Sequence, residues 1–229
     1  MKSILVAEDD PILRRILEKT FIKYAENFEF VLVQDGHEAM DVLRTEPVDL
    51  VVTDIQMPRM NGLVLLAYIN TYHPSVICMV ITSYSTSRLK SKVPRGVLRF
   101  FEKPFKADDL AQAVVAALER DYPARTKDGI SVVGFLDMIE MEQISCAFEV
   151  DSPDKPKGIM YFNNGILYDA VCGDLGGEPA AMEVIRRKIS TYAIKELPEQ
   201  QVHRKIKSSL QDIIRNTVID ESEEELSLL

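Results

Sequence analysis

Four short apolar runs in the first hundred or so residues each end in a polar or charged group, and this pattern constrains the fold more than any other feature of the chain. Ile4-Leu5-Val6-Ala7 runs into Glu8-Asp9-Asp10, and Leu50-Val51-Val52-Thr53 into Asp54. Val76-Ile77-Cys78-Met79-Val80-Ile81 runs into Thr82-Ser83, and Phe100-Phe101-Glu102 into Lys103-Pro104. Apolar runs of this length, rich in β-branched and aromatic residues and bounded by turn residues, read as buried strands. Between and after them, residues 11–24, 36–45, 62–72 and 106–122 read as helices. Pro11 suits a first helical turn, and Pro58 with Asn61-Gly62 turns the chain sharply after Asp54. Strands alternating with helices at such short intervals predict a doubly wound α/β sheet. Open sheets of that kind carry their sites at the C-terminal strand ends.

Taken singly, each strand-end residue has an ordinary explanation. An Asp there commonly caps a helix or makes a turn, Thr82-Ser83 suits a helix N-cap, and Lys-Pro suits a solvated turn. Together they suggest a site that takes up phosphate on a carboxylate. Converging carboxylates repel, so a cation belongs among them, and oxygen-only ligands favour Mg²⁺. Glu8 and Asp9 are the candidate metal ligands, with Asp54 as both ligand and nucleophile, since aspartate is an established covalent phosphoryl acceptor. Lys103 is a second cation for the transferring oxygens. An aspartyl phosphate offers new charge and new acceptor oxygens. Thr82 could swing its hydroxyl onto one of them, and Phe100 could fill the space it leaves.

Residues 1 to about 122 resemble the receiver domain of two-component response regulators. The resemblance lies in Ile4 through Pro11, Thr53-Asp54 through Gly62, Val80-Ile81-Thr82-Ser83 and Phe101-Glu102-Lys103-Pro104-Phe105. It implies a five-stranded parallel sheet flanked by five helices, and Mg²⁺-dependent phosphorylation of Asp54 by a histidine kinase or phosphotransfer protein. It implies slow hydrolysis of that phosphate by the chain itself. It also places the acidic pair on Glu8 and Asp9, the switch hydroxyl on Thr82, the lysine on Lys103 and a further metal ligand on the Gln56 backbone carbonyl. Three positions depart from the family pattern. Glu8 stands where Asp is commoner, which lengthens one ligand arm; the switch aromatic is Phe100, which has no phenol; and residues 88–96, with Pro94, are short for the fourth helix.

At 229 residues the chain has room for two domains, each with its own core. Net charge is −9, unevenly divided: 15 basic against 17 acidic residues up to residue 123, and 12 against 19 beyond it. The second half lacks the basic excess of a duplex-binding module, so no nucleic-acid partner is expected. Cys78, Cys146 and Cys172 lack metal-ligand spacing and sit in apolar stretches, as buried free thiols in a reducing compartment do. No apolar run approaches the ~20 residues that span a membrane, and no signal peptide precedes the first strand. A cytoplasmic protein is expected.

Residues 123–129 are polar and punctuated, and are expected to be a linker. Beyond it, residues 134–141 read as a helix and 144–150 as a strand. Residues 158–162 and 166–172 flank Asn163-Asn164-Gly165, a strong hairpin signal. A Gly-rich bend (Gly173, Gly176, Gly177) leads to a helix over 178–189, a strand over 191–196 and a last helix over 202–218, with Ile206, Leu210, Ile213 and Ile214 on one stripe. Residues 220–229 form an acidic tail expected to be disordered. The stretch from Gly158 to Ala170, with Gly173, Gly177-Glu178 and Ala180-Ala181, is similar to the PATAN domain of bacterial signalling proteins, over residues 130–219. That resemblance implies an α+β protein–protein interaction domain; the Trp many such sequences carry after the helix is replaced by Arg187-Lys188. The expected output is therefore a downstream protein partner or a phosphorylation-dependent homodimer. The alternative is a DNA-binding transcriptional regulator using Arg186–Lys188 and Arg204–Lys207. No nucleophile–base pair or metal cluster follows residue 124, so no separate output enzyme is expected.

Overall fold

The computed structural model describes residues 1–83, 97–119, 130–187, 190–198 and 203–217. The chain divides into two compact units, Met1–Ile130 and Ser131–Leu229. The expected linker at 123–129, the fourth receiver helix at 88–96 and the acidic tail fall outside the described residues.

In the first unit the elements are β1 (Lys2–Ala7), α1 (Pro11–Ile22), β2 (Phe28–Val33), α2 (Gly36–Thr45), β3 (Leu50–Asp54), α3 (Gly62–Tyr72), β4 (Ile77–Thr82), β5 (Val97–Glu102) and α4 (Ala107–Glu119). All five strands are parallel, in the order β2-β1-β3-β4-β5. Ile4, Val6, Leu50, Val52, Met79 and Ile81 form one core with Leu17 and Phe21 of α1 and Leu110 and Val114 of α4. Phe21 sets its edge against Phe28 and Phe30, with ring centroids 5.4 and 5.5 Å apart. Those contacts seat β2, whose own apolar run Phe30–Val33 lies outside the four above, at the edge of the sheet, where Phe28 and Val33 are its buried residues. The strand order reverses between β1 and β3, so the crevice at the C-terminal ends of these two central strands is the topological switch point of the sheet.

The second unit is a different fold. It comprises α5 (Val132–Met141), β6 (Cys146–Asp151), β7 (Gly158–Asn163), β8 (Ile166–Cys172), β9 (Leu175–Gly176), α6 (Gly177–Ile185), β10 (Thr191–Lys195) and a helix, α7, over residues 210–217. Its sheet is antiparallel, in the order β10-β6-β7-β8-β9. Asn164 and Gly165 take φ values of 47° and 74° in the β7–β8 turn, the left-handed pair such a hairpin needs. Phe135 stacks on Phe148 at 5.6 Å and both rings meet Tyr192, tying α5 to β6 and β10.

Two expected helices are shorter than the sequence suggests. The helix expected over 178–189 ends at Ile185, and Arg187 turns into the interior. There its Nη1 donates to the Val150 carbonyl at 2.9 Å and its Nη2 to the Pro156 carbonyl and Cys172 Sγ. The helix expected over 202–218 spans only 210–217 among the described residues. Before it, the Lys205 and Ile206 amides both donate to the Tyr168 carbonyl at 2.8 and 3.0 Å, pinning the chain to the irregular part of β8. Ser209 then caps the helix, its Oγ accepting from the Asp212 amide at 3.1 Å. Ile206 is buried as expected, but not as a member of a helical stripe.

Candidate functional site

Every strand-end residue read from the sequence lies at the C-terminal edge of the parallel sheet. β1 delivers Glu8 and Asp9, β3 ends in Asp54, β4 ends in Thr82, and Lys103 follows β5. The third acid of the first cluster plays another part. Asp10 caps α1, its side chain accepting from the Ile12 amide at 2.7 Å and the Leu13 amide at 3.4 Å. That commitment leaves Glu8, Asp9 and Asp54, which each offer an oxygen within 4.8 Å of the others.

Lys103 sits among these carboxylates. Its Nζ donates to Glu8 Oε1 at 3.0 Å and lies 2.9 Å from Oε2, and it also pairs with Asp54 Oδ2. The other oxygen of Asp54 accepts from the Gln56 amide at 3.0 Å. Glu8 and Asp54 are buried. Burial, and for Glu8 the nearby Asp54 charge, pushes both carboxyl groups above the usual carboxylate range, more than Lys103 pulls them down. Burial draws Lys103 downward, but its hydrogen bonds to Asp54 and Glu8 outweigh that and hold it above the ordinary lysine value. The pocket therefore has surplus negative charge that one lysine only partly offsets.

Thr82 is fully buried, and its carbonyl accepts the Lys103 amide at 2.8 Å, so the hydroxyl residue and the lysine are neighbours. Phe100 is half-buried on β5, opposite Val80 in the strand register, whereas Thr82 stands opposite Glu102.

Two arginines that sequence reasoning did not single out brace the site. Arg14 reaches back from α1, its Nη1 donating to the Glu8 and Asp9 carbonyls at 2.7 and 2.9 Å. Arg59, in the loop after Asp54, ion-pairs with Asp35. The helix spacing from Asp10 to Arg14 carried the first of these signals, since one turn of α1 separates cap and brace; nothing local carried the second.

The carboxyl shifts have a consequence for stability. A carboxyl group whose pKa is raised by folding contributes stability below its unfolded value, about 4, and that contribution is lost as pH rises through the folded value. In metal-free buffer, wild type and Asp54→Asn should therefore unfold at similar temperatures near pH 4. The variant should be the more stable near pH 7. Thermal melts across that range check this; a variant less stable than wild type at pH 7 would contradict the charge balance described.

A model of the response regulator receiver domain matches residues 4–115. The chain is 34% identical over 116 residues to the response regulator receiver protein CpdR of Brucella abortus, an alignment covering 50% of this chain and 94% of that protein. It is also 34% identical over 122 residues to the transcriptional regulatory protein GlrR of Escherichia coli, covering 53% of this chain. The chain spans only 27% of the length of that relative. The response regulator protein TrrA of Thermotoga maritima, solved in complex with Mg²⁺-BeF, superimposes on 50% of this chain and 96% of that one, with 29% identity and a TM-score of 0.43. With a receiver-domain model over its parallel sheet and a near-complete alignment to a receiver protein, the chain belongs to the response regulators of two-component systems.

Proposed function

We propose that Asp54 is the phosphoacceptor of a phosphorelay, and that its phosphate switches the protein–protein interactions of a PATAN-like second unit. The observation that carries the first half is the setting of Asp54. It is buried at a strand end, with Lys103 on one oxygen, a backbone N–H on the other and two more carboxylates close enough to share an ion. An all-oxygen donor set with surplus negative charge suits Mg²⁺, which takes one or two carboxylates at about 2.0–2.1 Å and keeps waters. Glu8, Asp9 and Asp54 would hold it, with the Gln56 backbone carbonyl as a further ligand by family resemblance. When bound, the ion offsets the charge that donor phosphate and acceptor carboxylate bring together.

The chain's own residues supply the rest. An Asp54 oxygen attacks the phosphorus of a phosphohistidine on a histidine kinase or phosphotransfer protein. The new P–O bond forms as the P–N bond breaks, and the imidazole leaves with the bonding pair. Lys103 stays protonated throughout and presents its charge to the transferring oxygens. The Thr82 hydroxyl then reaches a phosphoryl oxygen and Phe100 re-packs beside it. Attack of water later releases phosphate and regenerates Asp54. The domain thus turns over its own acyl phosphate, and no other enzymatic output is proposed.

The second unit supports an interaction role through its net acidity and its antiparallel fold, with Arg187 buried inside it. A DNA-binding output is the second reading, favoured by the names of GlrR and of the DNA-binding regulator NtrC of Klebsiella pneumoniae, which the chain matches over 24% of its length. Against it, Arg187 of one candidate basic cluster is directed to backbone carbonyls and unable to face phosphate. The full chain with and without a Mg²⁺–beryllofluoride mimic separates these readings. The proposal expects a change in self-association or in captured protein partners only with the mimic. Unchanged behaviour in both, with salt-sensitive binding to duplex DNA, would replace it with the second reading.

A further inference from the structure

The loop that follows Asp54 is fastened from outside the carboxylate pocket. Arg59 stands in the left-handed region at φ 65°, a backbone conformation unfavourable for any residue with a Cβ and kept only where surroundings impose it. Its Nη2 meets Asp35 Oδ2, and Asp35 is fully buried although Arg59 is not. The other Asp35 oxygen is committed to capping α2, accepting from the His37 and Glu38 amides at 2.8 and 3.0 Å. The adjacent residues interlock too: a Cβ on Gly36 would lie 2.7 Å from Met60 Cγ and 3.1 Å from the Met60 carbonyl. The pair Asp35-Gly36 on the β2–α2 turn therefore grips the pair Arg59-Met60, one by charge and the other by shape. The gripped loop is the one whose Gln56 amide holds Asp54 Oδ1 at 3.0 Å.

We propose that Arg59 is a positioning residue for the chemistry at Asp54. By pairing with buried Asp35 it holds the 55–61 loop, and with it the Gln56 backbone, against the acceptor carboxylate. This sets how fast Asp54 takes up a phosphoryl group and how tightly the pocket retains Mg²⁺. The proposal rests on the phosphoacceptor reading above. An exposed ion pair would contribute little, but here loss of Arg59 leaves a buried carboxylate oxygen without its cation, and the loop must move to let water reach it.

The test compares full-length wild type with Arg59→Gly, Arg59→Lys and Asp35→Asn. Glycine relieves the left-handed backbone while removing the charge, lysine keeps a charge, and asparagine keeps the helix cap. Three readouts are taken: hydrogen exchange of the Gln56 amide without metal or donor, Mg²⁺ binding by calorimetry, and phosphoryl uptake from acetyl phosphate. Arg59→Gly and Asp35→Asn should speed Gln56 exchange, weaken Mg²⁺ binding and slow uptake, each by roughly tenfold, as small misplacements at a reacting group do. Arg59→Lys should stay within about threefold of wild type, the margin a retained but differently shaped cation leaves. Gln56 exchange and Mg²⁺ affinity in Arg59→Gly equal to wild type would overturn the proposal, because relief of strain without charge would then suffice. A wild-type protein that takes up no phosphoryl group would remove the acceptor reading instead, and the exchange and Mg²⁺ measurements would still decide the role of Arg59.

Discussion

Replacing Lys103 with Ala should slow phosphoryl uptake from a small-molecule donor by about 10²–10³-fold, the usual loss when one preorganised charge partner of a transferring group is removed. The same variant should bind Mg²⁺ at least as tightly as wild type. Lys103 occupies the cluster a metal would share, lying 3.0 Å from Glu8 Oε1 and paired with Asp54. Removing it takes away a competing cation and leaves the buried carboxylates facing one another, which strengthens the demand for a divalent ion. Uptake and metal affinity are thus expected to move in opposite directions, a result that simple disruption of the site would not give. Uptake within about threefold of wild type would mean that Lys103 only neutralises charge in the resting state and does not act in the transfer.

The second large effect is at Gly62. A Cβ there would lie 2.0 Å from the Asp54 carbonyl oxygen and 2.9 Å from Thr53 Oγ1. Gly62 opens α3 after the Asn61 cap, where Ala would ordinarily gain up to about 1 kcal/mol of helix propensity. The clash is with backbone rather than with a mobile side chain, and overpacking of this kind costs about 1–3 kcal/mol or more. The clash therefore wins, and Gly62→Ala should lower stability by roughly 2 kcal/mol net while weakening Mg²⁺ binding, because the added Cβ presses on the Asp54 backbone itself. Gly36→Ala is a useful contrast, since its closest neighbour is the flexible Met60 side chain at 2.7 Å. Chemical denaturation of both variants checks the ranking; equal losses would show that the contact between Gly62 and β3 is not the tighter one.

Much of the first unit was legible because its signals are local. The bounds of α2 and α3 fall where the sequence places them, each opened by a capping side chain, Asp35 and Asn61. β1, β3 and β4 announce themselves as unbroken apolar runs because both of their faces are buried. β2 carries an apolar run too, Phe30-Val31-Leu32-Val33, but the acid that follows it, Asp35, is spent on capping α2, so no site residue at its end drew attention to it. At the site, polar or charged groups at four strand ends located the pocket, and Glu8 and Asp9 were separable from Asp10 as ligands because Pro11 opens the helix directly after it. The capping bonds of Asp10 agree with that division. The pairing of Asp35 with Arg59 lay beyond reach for another reason: it joins two loops through the fold, and neither residue is unusual in its own segment.

In the second unit the Asn-Gly hairpin was read correctly from turn chemistry, whereas both expected long helices proved shorter. Arg187 and Lys205 have the composition of an exposed helix face. Arg187 instead bonds to the backbone carbonyls of Val150 and Pro156, and Lys205 reaches Asp169 Oδ2 at 2.6 Å. A buried carboxylate or carbonyl that needs a donor can override helical propensity, which is worth less than about 1 kcal/mol per residue. The three cysteines are all buried and free, and burial pushes the thiols of Cys78 and Cys146 up to about 12. Among the described residues, no helix is long and apolar enough to cross a membrane.

Whether Asp54 carries the phosphate is decided by trapping the acyl phosphate. Full-length protein is incubated with acetyl phosphate and Mg²⁺, reduced with borohydride, which converts an aspartyl phosphate to homoserine, and mapped by peptide mass spectrometry. Homoserine is expected at position 54, only when Mg²⁺ is present, and none in Asp54→Asn. Homoserine at another aspartate in wild type, or acid-stable phosphate on a hydroxyl side chain with position 54 unmodified, would contradict it.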